Sequence, residues 1–284
     1  MFEQIYTEKP FDFTKHSTIG CGGFAKVAYY PKDETETLFL LSACKDGWVA
    51  LGNLSNVLPS DEVVNKTVIC TKRLTKICKT TDGVFVSAGV TSGGLLRYAK
   101  ENGLRGAEFL IGIPCTLGGI LYMNGGAGGK YIADIVKSVR VLRDGKIIDL
   151  SVDECGYSYK NSLFMHTDDF ILGGVFRLEK SDEDRVKGEI RRHLQRRAHL
   201  PKGKSMGCVF KNPQGVSAGE WIERAGLKGA RVGGAKVSEQ HANFILNDQN
   251  ATSADIYTLI QKIKNAVYTQ YGVTLEEEIR YIKE

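Results

Sequence analysis

Seven cysteines are the most reactive side chains of this 284-residue sequence: Cys21, Cys44, Cys70, Cys78, Cys115, Cys155 and Cys208. Their number is odd, no two form a Cys-x-x-Cys pair and no histidine matches them at ligand spacing, so neither a disulfide framework nor a zinc site is expected. Glycine is the second chemical signal, because many of the 32 glycines cluster in short runs between apolar segments where backbone amides are able to approach a ligand closely. Two of these runs resemble phosphate loops but fail on context. Gly20-Cys-Gly22-Gly-Phe-Ala25 fits G-x-G-x-x-A, yet a strand-like Lys26 to Tyr30 follows where a dinucleotide fingerprint needs a helix. Gly125 to Lys130 has Asn124 in place of the first P-loop glycine and Tyr131 in place of the magnesium-binding hydroxyl, so ATP hydrolysis is not expected. The third run, Gly112-Ile-Pro-Cys-Thr-Leu-Gly-Gly119 followed by Met123 to Gly128, surrounds Thr116 and Asn124 with permissive backbone. That combination suits a pyrophosphate; a purely structural glycine bend is the alternative.

The elements that must hold these loops follow from hydrophobic spacing. Short strands are predicted over 26–30, 48–51, 67–70 and 84–88, with a short helix around Leu95 to Ala99 that stops at Gly103. Val139 and Val141 alternate with charge before Asp144-Gly145, and Ile147 and Ile148 resume after it, which predicts a hairpin over 136–149; a further strand covers 170–178. Ile256, Leu259, Ile260, Ile263 and Val267 fall on one helix face, with Thr252 and Asp255 as a capping pair and Gly272 as the stop. The composition shifts to charge near residues 179–185, which suggests a domain boundary there.

With 42% hydrophobic and 25% charged residues the chain has an ordinary globular balance. Its first residues scatter charge among apolar positions, and no run reaches membrane-spanning length, so a soluble cytoplasmic protein is expected. The net charge of +5 is concentrated mainly around Lys187 to Lys204. A solvated helix face is the first reading of that stretch and a surface for an anionic small molecule the second. Nucleic acid ranks third, because no aromatic residues interleave the charge.

Eight elements in order carry a resemblance: His16 to Ala25, Leu51-Gly-Asn-Leu-Ser-Asn56, Gly112 to Gly119, Met123-Asn124, Gly156-Tyr-Ser-Tyr-Lys-Asn-Ser162, Gly207-Cys-Val-Phe-Lys-Asn-Pro213, Ala225 to Gly229 and His241-Ala-Asn-Phe-Ile245. Together they resemble the MurB family of UDP-N-acetylenolpyruvoylglucosamine reductases over roughly residues 14–282, in its shorter branch. The resemblance implies an α+β fold: an FAD-binding PCMH-type (vanillyl-alcohol-oxidase-like) domain over 1–180, with subdomains of about 1–72 and 73–180, and a substrate-binding α+β domain over 181–284. It implies FAD and NADPH as cofactors and a UDP-sugar as substrate, UDP-N-acetylglucosamine enolpyruvate being reduced to UDP-N-acetylmuramate, with no nucleic-acid or membrane partner. It assigns cofactor contacts to Gly52, Asn53, Leu54, Ser55, Asn56, Gly112, Ile113, Pro114, Thr116, Gly118, Gly119, Asn124, Gly125 and Ala127. Substrate contacts fall to Tyr159, Lys211 and Asn212, and the catalytic set to Cys208, Lys160 and Glu278, with Glu276 and Glu277 as alternatives to the last.

Five positions depart from the family pattern. Cys208 stands where the family has a proton-donating serine; a thiol with a reference pKa of about 8.5 is a far stronger acid than a hydroxyl and donates a proton without special activation. Lys160 stands where the family has arginine, which keeps the charge and loses the bidentate fork. Asn53, Leu54 and Cys115 stand where the family has glycine, so Leu54 or Cys115 adds strain if its position requires positive φ, with Asn53 more tolerant.

Overall fold

Asp144 and Gly145, at φ +49° and +72°, make the two-residue left-handed turn that matches the twist of paired strands. They join Val136–Arg143 to Lys146–Ser151, as the alternation predicts. This hairpin edges a five-stranded antiparallel sheet that continues through Phe170–Phe176, Gly83–Ser87 and Ile77–Thr80. The computed structural model describes residues 5–44 and 47–283. All but one of the residues in Phe170–Phe176 are buried, which explains why this strand reads as a continuous apolar run rather than an alternating one.

Two compact units divide the chain, and neither is continuous in sequence. The first takes residues 1–8, 28–53 and 67–198; the second takes 9–27, 54–66 and 199–284. This division differs from the expected blocks of 1–180 and 181–284, of which residues 1–4, 45–46 and 284 lie outside the described residues. The difference has two causes. The basic helix Glu183–Arg197 packs on the turn Glu108–Leu110 and so belongs to the first unit. Val57–Pro59, far upstream, pairs in parallel with Arg280–Ile282 in the second.

Besides the five-stranded sheet, the first unit holds a four-stranded one with the order Tyr6–Glu8, Ala28–Tyr30, Thr67–Cys70, Trp48–Leu51. Its core gathers Leu95, Leu110, Leu117, Val139, Val141 and Phe170, all with no accessible surface. Ser92–Glu101 is capped by the Thr91 hydroxyl, which accepts from Gly94 N, and the chain leaves it through Gly103 at φ +61°. The second unit has a four-stranded sheet in the order Ser205–Cys208, Phe244–Asn247, Ala235–Val237, Arg231–Val232. Helix Ser253–Tyr271 covers it with Ile256, Leu259, Ile260, Ile263 and Val267, all fully buried. The capping box of Thr252 and Asp255 opens this helix, and Gly272 at φ +67° closes it, so both of its ends are as the sequence predicts.

Candidate active site

In the first unit, strand Trp48–Leu51 delivers its last residue to a loop whose next two residues meet the second glycine run. A Cβ on Gly52 would lie 2.0 Å from Thr116 Oγ1, so a larger residue there would displace the Thr116 side chain. The Asn53 amide donates to Pro114 O at 2.9 Å. Ser92 Oγ donates to Ile113 O at 2.6 Å, and Leu117 N and Gly118 N donate to Val90 O and Ala88 O. Gly112, Pro114 and Gly119 stay exposed at the rim. Thr116 itself is 2% exposed, and its hydroxyl has no hydrogen-bond partner among the described residues. It precedes helix Leu117–Tyr122 without capping it. An unsatisfied buried hydroxyl costs about 1–3 kcal/mol, and here it sits between two loops held open by glycine. These are the features of a cradle for a polar ligand, and the residues present fit a dinucleotide cofactor.

The rest of the predicted cofactor set is engaged differently. Asn124, at φ +43° and 4% exposed, donates from Nδ2 to Ser158 O at 2.8 Å and accepts at Oδ1 from Ala133 N. Gly125 uses its N–H on Ile120 O and its carbonyl on Ile132 N. Ala127 pairs with Lys130 in a short ladder. Asn124 thereby fixes the turn that carries Lys160, in which Ser158 and Asn161 exchange both backbone bonds. Lys160 is left-handed, at φ +53°. A non-glycine residue in that region costs on the order of 1–3 kcal/mol and persists where the surroundings enforce it, as at functional sites. Tyr159, 43% exposed, stands edge-on to Tyr131.

Sequence reasoning missed the role of the basic helix. Its last residue, Arg197, donates from Nη2 to Gly112 O at 3.0 Å, and a Cβ on Gly128 would lie 3.4 Å from Arg196 Nη1. The end of the basic helix therefore rests on the glycine loops. Only the ending of that helix in two arginines, Arg196-Arg197, signalled this.

In the second unit, three segments that are distant in sequence are laced together. Beyond the bulge at Gly207 (φ +76°), Cys208 pairs with Phe244. Val209 O accepts from Glu278 N at 2.8 Å, Phe210 bridges Glu277, and Lys211 N donates to Glu276 O at 2.8 Å. The segment carrying the thiol thus runs antiparallel to the one carrying the three glutamates. Asn56 completes the lacing: its Nδ2 donates to Glu278 O at 3.1 Å, and its carbonyl accepts from Arg280 N. Leu54, at φ +48° and 3% exposed, takes the left-handed conformation that a glycine would hold without strain. Cys115 is not among the described non-glycine residues with positive φ, so of the two candidates for strain only Leu54 carries it. Ser55, between Leu54 and Asn56, is half-buried.

Side chains in an extended segment alternate, and their partners distinguish the glutamates. Glu276 pairs with the Lys211 ammonium. Glu277 points the other way, to Lys264 Nζ at 2.6 Å and Tyr281 OH at 2.7 Å. Burial raises its pKa, but those hydrogen bonds outweigh burial and hold the carboxyl below its usual value. Glu277 is therefore committed to the scaffold. Asn212 Oδ1 accepts from Ala218 N at 3.1 Å, tying the end of the Cys208 segment to helix Ala218–Arg224. Burial pushes the Cys21 and Cys155 thiols up to about 11 and Cys115 up to about 12. Such thiols are inert packing groups. Cys208 is half-buried.

Residues 198–282 match the model of the UDP-N-acetylenolpyruvoylglucosamine reductase C-terminal domain, and residues 25–151 match that of an FAD-binding domain. The reductase of that name from Geobacter metallireducens is 36% identical over 99% of this chain and 95% of its own length. This chain belongs to the UDP-N-acetylenolpyruvoylglucosamine reductase family. The reductase from Thermosipho melanesiensis is 39% identical over 86% of this chain and 84% of its own. The crystal structure of the Thermus caldophilus reductase superposes with a TM-score of 0.85 at 31% identity, covering 98% of this chain and all of that one. As in this family, the fold combines an FAD-binding PCMH-type domain with the family's C-terminal domain, and the chain is an FAD-dependent oxidoreductase that uses NADPH as reductant. No helix among the described residues is long and apolar enough to cross a membrane.

Proposed function

We propose that this protein reduces the enolpyruvyl double bond of UDP-N-acetylglucosamine enolpyruvate to give UDP-N-acetylmuramate, the cytoplasmic step that commits a UDP-sugar to cell-wall precursor synthesis. The observation that carries this reading is the lacing of Leu54–Asn56, Cys208–Lys211 and Glu276–Glu278 within one unit, which joins a cofactor loop to the acid and thiol candidates. Bound FAD supplies the hydride chemistry. Gly52, Asn53, Pro114, Thr116, Gly118 and Gly119 hold the cofactor, with Leu54–Asn56 continuing the loop and Asn124 and Gly125 stiffening its floor.

The alkene gains one hydride at its terminal carbon and one proton at the carbon bearing the carboxylate. Negative charge develops on that carboxylate between the two events, so a fixed cation lowers the barrier. Lys160 is that cation, and Glu278 fixes the direction in which the carboxylate lies. Cys208 Sγ–H gives its proton to the new carbanionic carbon and regains one from solvent. Tyr159, Lys211 and Asn212 border the substrate.

An anaerobic absorption spectrum tests the whole reading. The purified protein should show the oxidised flavin bands, lose them on addition of NADPH and recover them on addition of the enolpyruvyl sugar. Bleaching by NADPH with no recovery on that sugar would favour an oxidoreductase for another substrate. A colourless protein that FAD fails to reconstitute would remove the flavin from the account.

A further inference from the structure

The strand Ser205–Cys208 ends at the proposed proton donor, yet the chain beyond it stays as tightly held as a strand. Asn243 is the cause. Its side chain is 2% exposed, and both ends of its amide engage the main chain of one residue: Oδ1 accepts from Phe210 N at 2.9 Å and Nδ2 donates to Phe210 O at 2.8 Å. Its own carbonyl accepts from Val209 N at 2.9 Å. The amide therefore supplies one more rung to the ladder where Cys208 pairs with Phe244. On the other edge, the main chain at 209–211 is bound by Glu276 and Glu278. A loop whose donors and acceptors are met on both edges has few ways to shift.

We propose that Asn243 is a positioning residue: it holds the Cys208 segment so that the thiol meets one face of the substrate carbon, and it acts on the proton-transfer half of the reaction alone. This rests on the assignment of Cys208 as proton donor. The function needs an amide because only a group with an acceptor and a donor side by side matches the N–H and C=O of a single residue. A buried asparagine serving stability alone would instead weaken both half-reactions together.

Two variants separate these roles. Asn243→Ala removes both bonds. Asn243→Asp keeps the shape and the acceptor but turns an anionic oxygen toward Phe210 O; once protonated, the carboxyl again offers one donor and one acceptor. Rapid-mixing spectroscopy on the holoenzyme reads the halves separately, as flavin bleaching by NADPH and flavin recovery on the enolpyruvyl sugar. Both variants should retain FAD and bleach at the wild-type rate. Recovery should slow by about 10- to 100-fold, the effect of misplacing a reacting group by roughly 1 Å, with little change in KM. Protonation should also lose its facial selectivity, read as mixed configuration at the new carbon centre in D2O.

The Asn243→Asp deficit relative to wild type should shrink as pH falls, while the alanine deficit stays constant. His241, whose Nδ1 accepts from Asn243 N, is a titratable group against this residue; His199 stacks on the His241 ring, and Cys208 and Glu278 lie on the segments that Asn243 ties. These groups are present in all forms, and the alanine series, which adds no charge, gives their own pH dependence. If Asn243→Ala fails to fold, the isosteric aspartate variant with its acid rescue carries the test. Wild-type recovery rates in both variants, equal losses in bleaching and recovery, or an aspartate deficit indifferent to pH would each overturn the proposal. Cys208→Ala is run in parallel: full activity there would defeat the proton-donor assignment itself, whereas its inactivity beside unimpaired Asn243 variants would defeat only the positioning role.

Discussion

Thr116 makes the sharpest test of the cofactor cradle, because its hydroxyl is buried with no partner among the described residues and lies where a Cβ on Gly52 would collide with it. Thr116→Val keeps the shape and deletes the oxygen. In the cofactor-free protein the change relieves an unsatisfied polar group, which stabilises by about 1–3 kcal/mol. It removes no helix cap, since the wild-type hydroxyl makes none. The melting temperature of the apoprotein should therefore rise by about 2–4 °C for each kcal/mol gained. FAD affinity should move the other way. A hydrogen bond to a charged oxygen contributes about 1.5–3 kcal/mol, so at 1.4 kcal/mol per decade the dissociation constant should rise about 10- to 150-fold. Thermal melting of apoprotein, together with fluorescence titration by FAD, measures both signs. An apoprotein destabilised by the substitution, or an unaltered FAD affinity, would refute the assignment of Thr116 to the cofactor.

Three further outcomes follow from the geometry. Cys208→Ser should retain substantial turnover, whereas Cys208→Ala should lose about 10²- to 10⁴-fold, the usual worth of a positioned acid, with NADPH still bleaching the flavin in both. Lys160→Met should lower turnover while Lys160→Arg preserves it, since the charge rather than the fork is what this chain supplies; steady-state kinetics at saturating NADPH distinguishes the two. Glu277 has a folded-state pKa below its ordinary 4.5, held there by Lys264 and Tyr281 against the opposing effect of burial. Its contribution to stability is therefore full above that ordinary value and disappears as pH falls through the folded one. Glu277→Gln should flatten this acid limb of a urea-midpoint profile, and a variant that loses stability with the wild-type pH slope would contradict the pairing.

Local chemistry was legible and long-range lacing was not. Asp144-Gly145, Gly103, Gly272 and the Thr252/Asp255 box each specify a backbone conformation through their own side chains or lack of one, so the elements they bound are where the sequence places them. Asn124 is different. Its place between two glycine runs reads as a ligand contact, yet the distant Ser158 carbonyl takes its amide, and no spacing rule announces a partner 34 residues away. The division into compact units has the same long-range origin. Residues 54–66 join the second unit through a parallel pairing with Arg280–Ile282, and a composition shift near 180 carries no information about such a contact.

The departures at 54, 160 and 208 raise the question of how a chain keeps its geometry while replacing reactive side chains. Each position is held by its neighbours' main chain. Cys208 sits in a ladder whose bonds run through Phe244, Val209 and Phe210, none of which consults the side chain at 208. Lys160 takes its left-handed conformation from the Ser158–Asn161 bridge and the Asn124 amide. Leu54 is fixed between Asn53, bonded to Pro114, and Asn56, bonded to Glu278 and Arg280. A hydroxyl can therefore become a thiol, or a guanidinium an ammonium, with the reacting atom displaced by little more than the difference in side-chain length. The chemistry proposed for positions 160 and 208 is free to vary because the scaffold around them is made of backbone bonds and buried amides. Substitution at Asn124 or Asn243, which carry no reactive group at all, should accordingly disturb the aim of the groups that do.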